Sequence, residues 1–500
     1  MSDILLTTLN ARYMHSAFAL RYLYANLLEL KACARIIEFT IQQRALDIVE
    51  KLLQQNPRII GFSIYIWNVE ETGAVIGLLK QVAPQIKIIV GGPEVSFPND
   101  QPELVTHVDY VITGPGERSF YQLCAQLLDD KQPLNHIIAG EAIPLEQLNL
   151  PYACYDDEDI RNRLIYVEAS RGCPFKCEFC LSALDKTAKA FELEKFLQAM
   201  DELHKRGARN FKFIDRTFNL KASTSVAILE FFLARMSDDL YLHFEVIPDQ
   251  LPDLLKDALV KFPAESLQFE IGVQTFDPDI QNLISRKQNN DKTRENLRWL
   301  RENTGAHIHA DLIFGLPGDS LENFGASFDQ LIVLKPQEIQ LGILKRLRGA
   351  PINRHSDNYQ LRYNPRSPYN ILSTRDIDFS TMQRVNRFAR FWDMIGNSGR
   401  FSDTLPVLLA DDPFQNFLKL SDALYTTAGS TWKISLKRLF EMLFTVMTEN
   451  LNIPTDQSQQ VLLKDYQRSG QKGLLQFGQN NFNNTPRKGT ANKRQKQHSS

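Results

Sequence analysis

The segment 171–180, RGCPFKCEFC, places Cys173, Cys177 and Cys180 within eight residues, separated first by three residues and then by two. Three thiolates so close together, with no fourth beside them, narrow the chemistry. A structural zinc site takes four ligands, commonly in two pairs, and the nearest further candidates, Cys154 and His204, lack finger-like spacing. A redox dithiol needs one CxxC, which CEFC supplies, but leaves Cys173 without a role. A cubane iron-sulfur cluster suits the spacing: a short loop curled around it gives one thiolate to each of three irons, and the fourth iron stays open to a chelating ligand. Cys33, Cys124 and Cys154 are scattered, whereas a disulfide framework would be unusual in a cytosolic protein of this size.

The elements around the loop say where it sits. It directly follows the strand-like LIYVEAS (164–170), the first of six apolar runs that continue with FKFIDRTF (211–218), YLHFEVI (241–247), LQFEIGVQTF (267–276), HIHADLIFG (307–315) and EIQLGIL (338–344). The stretches between them carry helical periodicity. Six βα units predict an open, partial (βα)6 barrel over 161–355, and barrels place their chemistry at the carboxyl ends of their strands. Arg171 and Lys176 flank the thiolates and would offset an anionic cluster.

Ahead of the barrel, residues 1–130 alternate β-branched runs (4–9, 35–41, 59–67, 87–92 and 110–114) with amphipathic stretches. The pattern predicts a doubly wound, flavodoxin-like parallel sheet. Gly91 and Gly92, and Gly114 and Gly116 in GPGE, fall at strand ends, where a glycine either lets backbone approach a bulky ligand or makes a tight turn. Residues 131–160, with Pro133, Pro144, Pro151 and the run DDED, read as a linker. The strand signal fades after about 375; 370–465 reads as a small helical domain and 466–500, rich in Gln, Asn, Lys and Arg, as a disordered tail.

The composition, 43% hydrophobic and 23% charged with a formal net charge of -2, is that of a soluble protein and gives no electrostatic reason to expect nucleic acid. The start MSDILLTTLN shows no secretory pattern. The most apolar short run, IIGFSIYIW, is about half the length of a membrane span. Together these predict a cytoplasmic protein with no membrane partner.

The motif CxxxCxφC, met by Cys173, Cys177, Phe179 and Cys180, resembles that of the radical S-adenosylmethionine (SAM) superfamily, and the whole of roughly 1–350 is similar to the group with an N-terminal cobalamin-binding-type domain. EIGVQTF, DLIFGLPGDS and LGILKRLRGAP are similar to recurring strand-end segments of that group. The resemblance implies a [4Fe-4S] cluster whose open iron binds SAM, which is cleaved reductively to a 5'-deoxyadenosyl radical. It also implies a low-potential electron donor such as flavodoxin or ferredoxin, a small-molecule substrate that the sequence leaves unnamed, and cobalamin in the first domain.

By the same resemblance the backbone at Phe179 meets adenine. The GGE segment of many relatives is replaced by IDRTFN, with Asp215 the nearest carboxylate to meet the methionine amino group. Glu270 and Gln274, alternating with apolar residues on one strand, face the barrel interior and reach ribose or the methionyl carboxylate, and Arg286 is a carboxylate clamp. The cobalt-ligating DxHxxG is absent: Asn10, Arg12 and His15 stand in LNARYMHSAF where Asp, His and Gly would be. Ser63 and the pair Gly91–Gly92 match later elements of cobalamin binding. Three functions follow from these features: a cobalamin-dependent radical SAM enzyme, for example a methyltransferase at an unactivated carbon; a cobalamin-free radical SAM oxidoreductase; or a non-catalytic iron-sulfur electron-transfer or sensor protein.

Overall fold

The computed structural model describes residues 2–477. These fall into two units: residues up to Arg216 together with 345–353 and 364–370, and residues 217–344 with 354–363 and 371 onward.

In the first unit β1 (Ile4–Asn10), β2 (Ala34–Thr40), β3 (Ile59–Ser63), β4 (Lys87–Gly91) and β5 (Tyr110–Thr113) alternate with α1 (Phe18–Ala25), α2 (Ala45–Leu53), α3 (Val69–Val82) and α4 (Glu117–Leu128), and β6 (Ile137–Ala139) follows. The strands are parallel in the order β2-β1-β3-β4-β5-β6. The order reverses at β1/β3, where a doubly wound sheet places its ligand crevice. Every residue of β1 is buried, as expected for a parallel strand covered by helices on both faces.

β6 lies inside the segment that reads as a linker. Its three residues are half exposed at the sheet edge, too short and too close to prolines to give a strand signal. The remainder of that segment is also tied down. α5 (Asp157–Asn162) starts with a capping box from Asp156, and Asp159 takes the guanidinium of Arg21 at 2.6 Å, which in turn holds Glu38 at 2.7 Å. β7 (Ile165–Val167), a two-strand ribbon of β8 (Ser170–Arg171) with β9 (Lys189–Ala190), α6 (Leu193–Lys205) and β10 (Asn210–Phe213) complete this unit, β10 pairing parallel with β7.

The second unit carries the other four strands of the barrel array: α7 (Ala222–Leu233), β11 (Tyr241–Val246), α8 (Asp253–Leu259), β12 (Leu267–Gln274), α9 (Pro278–Leu283), α10 (Asn290–Asn303), β13 (His307–Phe314), α11 (Leu321–Leu334) and β14 (Glu338–Ile343). β11 to β14 pair in parallel, each with the next. On β12 burial alternates strictly, with Leu267, Phe269, Ile271 and Val273 buried and Gln268, Glu270, Gly272 and Gln274 on the more open face.

The carboxyl-terminal part is helical: α12 (Phe379–Met394), α13 (Thr404–Leu409), α14 (Pro413–Ala428), α15 (Leu436–Glu449) and α16 (Thr455–Arg468). It shares a core with the last barrel helix. The Phe328 ring of α11 lies 4.8 Å from that of Trp392, 5.3 Å from Phe388 and 6.0 Å from Phe414. A Cβ on Gly325 would meet the Phe414 ring at 2.4 Å, so this glycine is what lets α14 approach. The tail also begins later than its composition suggests. α16 runs to Arg468, Leu475 is buried, and Phe477 stacks on Phe444 at 4.2 Å; the rest of the expected tail, 478–500, lies outside the described residues.

Because α11 and the carboxyl-terminal helices share one aromatic core, Phe414→Ala should cost about 3–5 kcal/mol, the usual cost of deleting a buried aromatic ring. Urea unfolding followed by circular dichroism should show this as a shift of one transition. A separate early transition of the carboxyl-terminal helices would mean that they form a core of their own.

Candidate functional site

The cysteine loop is closed at its base by the β8–β9 ribbon, by the Cys173 N–H donating to the Asp185 carbonyl at 2.9 Å, and by the Phe191 N–H donating to the Ala169 carbonyl at 2.9 Å. Gly172 has φ +90°, and a Cβ there would lie 1.9 Å from the Thr187 carbonyl oxygen, so only glycine passes. Within the loop Cys177 is buried, Cys173, Cys180 and Phe179 are half-buried, and Lys176 is exposed. Burial pushes the Cys173 thiol up. The Phe175 backbone opposes this, Cys180 and Cys177 add to it, and the cation of Arg216 acts against it. Arg216 is therefore a charge beside the thiols that the sequence reading passed over, because it lies more than forty positions away on the exit of β10.

Arg171, expected to offset the cluster's charge, is committed elsewhere. Its Nε donates to Glu168 Oε1 and its Nη1 to Glu117 Oε1, both at 2.8 Å. The three remaining cysteines behave as core residues: Cys124 is fully buried, Cys33 and Cys154 are half-buried, and burial raises all three thiols. Among the described residues no three His, Cys, Asp or Glu side chains converge closely enough to hold an ion as they stand. The fit to a cluster is thus one of donor chemistry. Three thiols, none in a disulfide, share one restrained loop at the carboxyl end of β7.

Asp215 is buried at the exit of β10. Its carboxylate accepts from the Ala169 N–H at 2.9 Å and from the Ser170 hydroxyl at 2.6 Å. Burial pushes it up to about 7, against the pull of those hydrogen bonds. Both oxygens thus fasten the strand that leads into the cysteine loop.

Three expected residues lie in the second unit. Gln274 has φ +70° at an irregularity in the β12–β13 register, and its buried Oε1 has no partner among the described residues. Arg286 donates from Nη2 to the Gly272 carbonyl and from Nε to Gln288 Oε1 at 2.9 Å. Glu270, on the same face of β12, takes His243 Nε2 at 2.9 Å. It belongs to a row of imidazoles and carboxylates with His309, its register partner, and with His307, which meets Glu338 at 3.2 Å. Burial lowers His309.

In the first sheet a cavity of about 720 Å³ opens at the carboxyl ends of β1, β3, β4 and β5, lined mostly by apolar groups and by Ser63, Gly91, Gly92, Gly114 and Gly116. Gly92 has φ +109°, and a Cβ there would lie 2.5 Å from the Ile64 carbonyl oxygen, so the backbone crossing requires glycine at 92, whereas a Cβ on Gly91 would meet the Ile112 carbonyl oxygen at an ordinary 3.5 Å. In the loop after β1, Asn10 Nδ2 donates to the His15 carbonyl at 2.9 Å and to Glu38 at 2.6 Å. His15 lines the cavity, but its Nδ1 is 2.7 Å from the Tyr166 hydroxyl, and burial lowers its pKa. No helix among the described residues is long and apolar enough to cross a membrane.

Three family models match the chain: a B12 binding domain over 4–124, the radical SAM superfamily over 167–331, and a protein of unknown function (DUF4080) over 357–499. Among curated proteins the chain is 25% identical to the cobalamin-dependent radical SAM methyltransferase TokK of Streptomyces tokunonensis, over 66% of this chain and 52% of that protein. It is 24% identical to the 2-(S-pantetheinyl)-carbapenam-3-carboxylate methyltransferase of Streptantibioticus cattleyicolor, over 63% and 51%. The chain thus spans about half the length of these curated relatives. Among solved structures its fold is similar to the cobalamin-dependent SAM radical enzyme OxsB (TM-score 0.61, 14% identity, 93% of this chain and 75% of that one) and to the radical SAM methyltransferase TsrM from Kitasatospora setae, solved with cobalamin and a [4Fe-4S] cluster (TM-score 0.57, 17% identity, 74% and 82%). The chain thus carries a B12-binding domain followed by a radical SAM domain, the second starting at 167, just ahead of the three-cysteine loop.

Proposed function

We propose that this protein is a cobalamin-dependent radical SAM enzyme that methylates an unactivated carbon of a small-molecule substrate. The observation that carries the reading is one unit holding both a restrained loop with three thiols, none in a disulfide, and an apolar cavity walled by strand-end glycines. When bound, the cluster and SAM supply a 5'-deoxyadenosyl radical and cobalamin supplies a transferable methyl group; the difficult chemistry is theirs and the protein's work is to bind, orient and exclude water. Cys173, Cys177 and Cys180 would hold the cluster. The loop's closed base fixes their backbone, and Asp215 keeps its entry strand in place from β10.

The backbone at Phe179 would meet adenine, while Gln274, with its orphaned Oε1, and Arg286 would meet the polar end of SAM or its ribose. The assignment of Glu270 to the same task is weakened by its contact with His243. Ser63, Gly91 and Gly92 would line the cobalamin site, where close backbone approach replaces an imidazole ligand. A low-potential donor such as flavodoxin or ferredoxin, in the cytoplasm, would reduce the cluster. The domain division this reading uses is 1–130 for cobalamin, 161–355 for the radical chemistry and 370–465 as a helical partner of the barrel.

Anaerobically purified protein should carry one [4Fe-4S] cluster, which replacing Cys173, Cys177 and Cys180 by Ala should abolish and which Cys33→Ala, Cys124→Ala and Cys154→Ala should spare. Normal iron and sulfide in the triple variant would defeat the assignment.

Reduced, reconstituted protein should convert SAM to 5'-deoxyadenosine even without substrate, as read by chromatography. SAM left intact would favour an electron-transfer or sensor role.

Wild-type protein should retain cobalamin through gel filtration, and its Co(II) spectrum should lack axial nitrogen splitting, since no imidazole stands at position 12 and Nδ1 of His15 is held by Tyr166. Strong nitrogen splitting that vanishes in His15→Ala would overturn the unligated reading, and absence of retention would favour the cobalamin-free enzyme.

A further inference from the structure

The first unit contains two strand-end glycine loops with the same ending, GGPE at 91–94 after β4 and GPGE at 114–117 after β5. Both wall the cavity, and both close on a buried glutamate, Glu94 being 4% and Glu117 7% exposed. Buried carboxylates are costly unless paired. Here each takes an arginine, and each arginine comes from a segment that holds the cysteine loop.

Glu117 receives Arg171, two residues ahead of Cys173, at 2.8 Å. The same guanidinium holds Glu168 at 2.8 Å and lies 4.3 Å above the Tyr22 ring, and all four of these side chains line the cavity. Glu94 receives Arg348 at 2.7 Å. Arg348 also binds Asp100 at 2.6 Å and the Tyr369 hydroxyl at 2.9 Å. Four residues on, the Ile352 N–H donates to the Glu178 carbonyl at 2.9 Å, inside the cysteine loop between Cys177 and Cys180. Gly349 in that segment has φ +75° and lies so close to the Phe97 ring that a Cβ would clash at 2.1 Å, which fixes the segment against the loop after β4.

The cysteine loop is thus held at its start by the Glu117–Arg171 pair and, between Cys177 and Cys180, by the backbone of the segment whose Arg348 is anchored on Glu94. We propose that Glu94 and Glu117 are twin positioning residues which, through Arg348 and Arg171, set the cluster loop against the cobalamin cavity, so that filling either site stiffens the other. A ligand pressing on the glycine loops fixes the two glutamates; a cluster closing its loop fixes the two arginines. Each event spares the other part of its ordering cost, and such coupling is reciprocal. The inference rests on the cobalamin reading given above.

The test is titration of hydroxocobalamin into the full chain before and after anaerobic reconstitution with iron and sulfide. Wild type should bind about tenfold more tightly once the cluster is in place, a common size for coupling between sites. Glu117→Gln should bring that ratio close to one while iron and sulfide stay at wild-type levels. Arg348→Lys should do the same on the other flank, because it keeps the charge but loses the planar fork. If Glu117→Gln gives little folded protein, Arg171→Lys probes the same contact with the same expected loss of ratio. A purely structural role would lower both affinities and leave their ratio unchanged, which overturns the inference, as does a wild-type ratio of one; the cobalamin reading survives either result. Wild type that fails to bind hydroxocobalamin in both forms overturns the inference and the cobalamin reading together.

Discussion

Thiolates that share one cluster repel, and a short loop that must offer three of them has few apolar side chains with which to hold itself in place. Its shape must be imposed from the backbone outward. Here the imposition comes from Gly172, whose conformation no other residue adopts without clashing with Thr187, from the β8–β9 ribbon, and from the Asp215 carboxylate on the Ala169 N–H and Ser170 hydroxyl. Asp215 is held up near neutrality by burial, so the fastening depends on two hydrogen bonds offsetting a desolvation penalty. That is a local, directional device, suited to fixing a strand end; spread-out hydrophobic contact could not specify the loop as closely.

The cavity of the first sheet follows from a related constraint. Parallel strands present their carboxyl ends on one edge, and the helices that follow must leave that edge by short turns. Where the turns are GGPE and GPGE, side-chain volume is removed from the rim and a concave apolar surface remains. At Gly92 the positive φ and the approach to the Ile64 carbonyl demand glycine whatever the cavity holds. The glycine is therefore evidence for the backbone crossing first, and the ligand exploits a rim that the fold already required.

Much of this was legible in sequence, for reasons tied to range. The cysteine spacing is a local pattern set by cluster geometry. The alternation of apolar runs with 3.6-period stretches is a local pattern set by burial, and it located all the barrel strands. What failed to show depends on partners distant in the chain. Arg171 reads as a cation for the cluster until Glu117 is seen beside it, and Asp215 reads as a free carboxylate until Ala169 and Ser170 are placed. Arg216 has no motif to announce it. β6, three residues at a sheet edge, lacks the length for a periodic signal, and the helices after 375 look like a separate domain because the Phe328–Phe414 contact joins residues 86 positions apart in the chain.

The pairing of Glu94 with Arg348 and of Glu117 with Arg171 is hard to explain by stability. Taking such ions out of water costs several kcal/mol each in general, and apolar residues of similar volume often serve as well or better. What an ion pair adds is geometry: a guanidinium fork accepts one arrangement of carboxylates and rejects its neighbours. Glu117 sits at the first position of α4, where the helix dipole favours a negative charge, so its carboxylate is anchored by the same turn that shapes the cavity rim. Arg171 is anchored by the ribbon that closes the cysteine loop. The two anchors meet at a single bond, and a displacement of either loop is felt at the other without any rearrangement of the sheet between them.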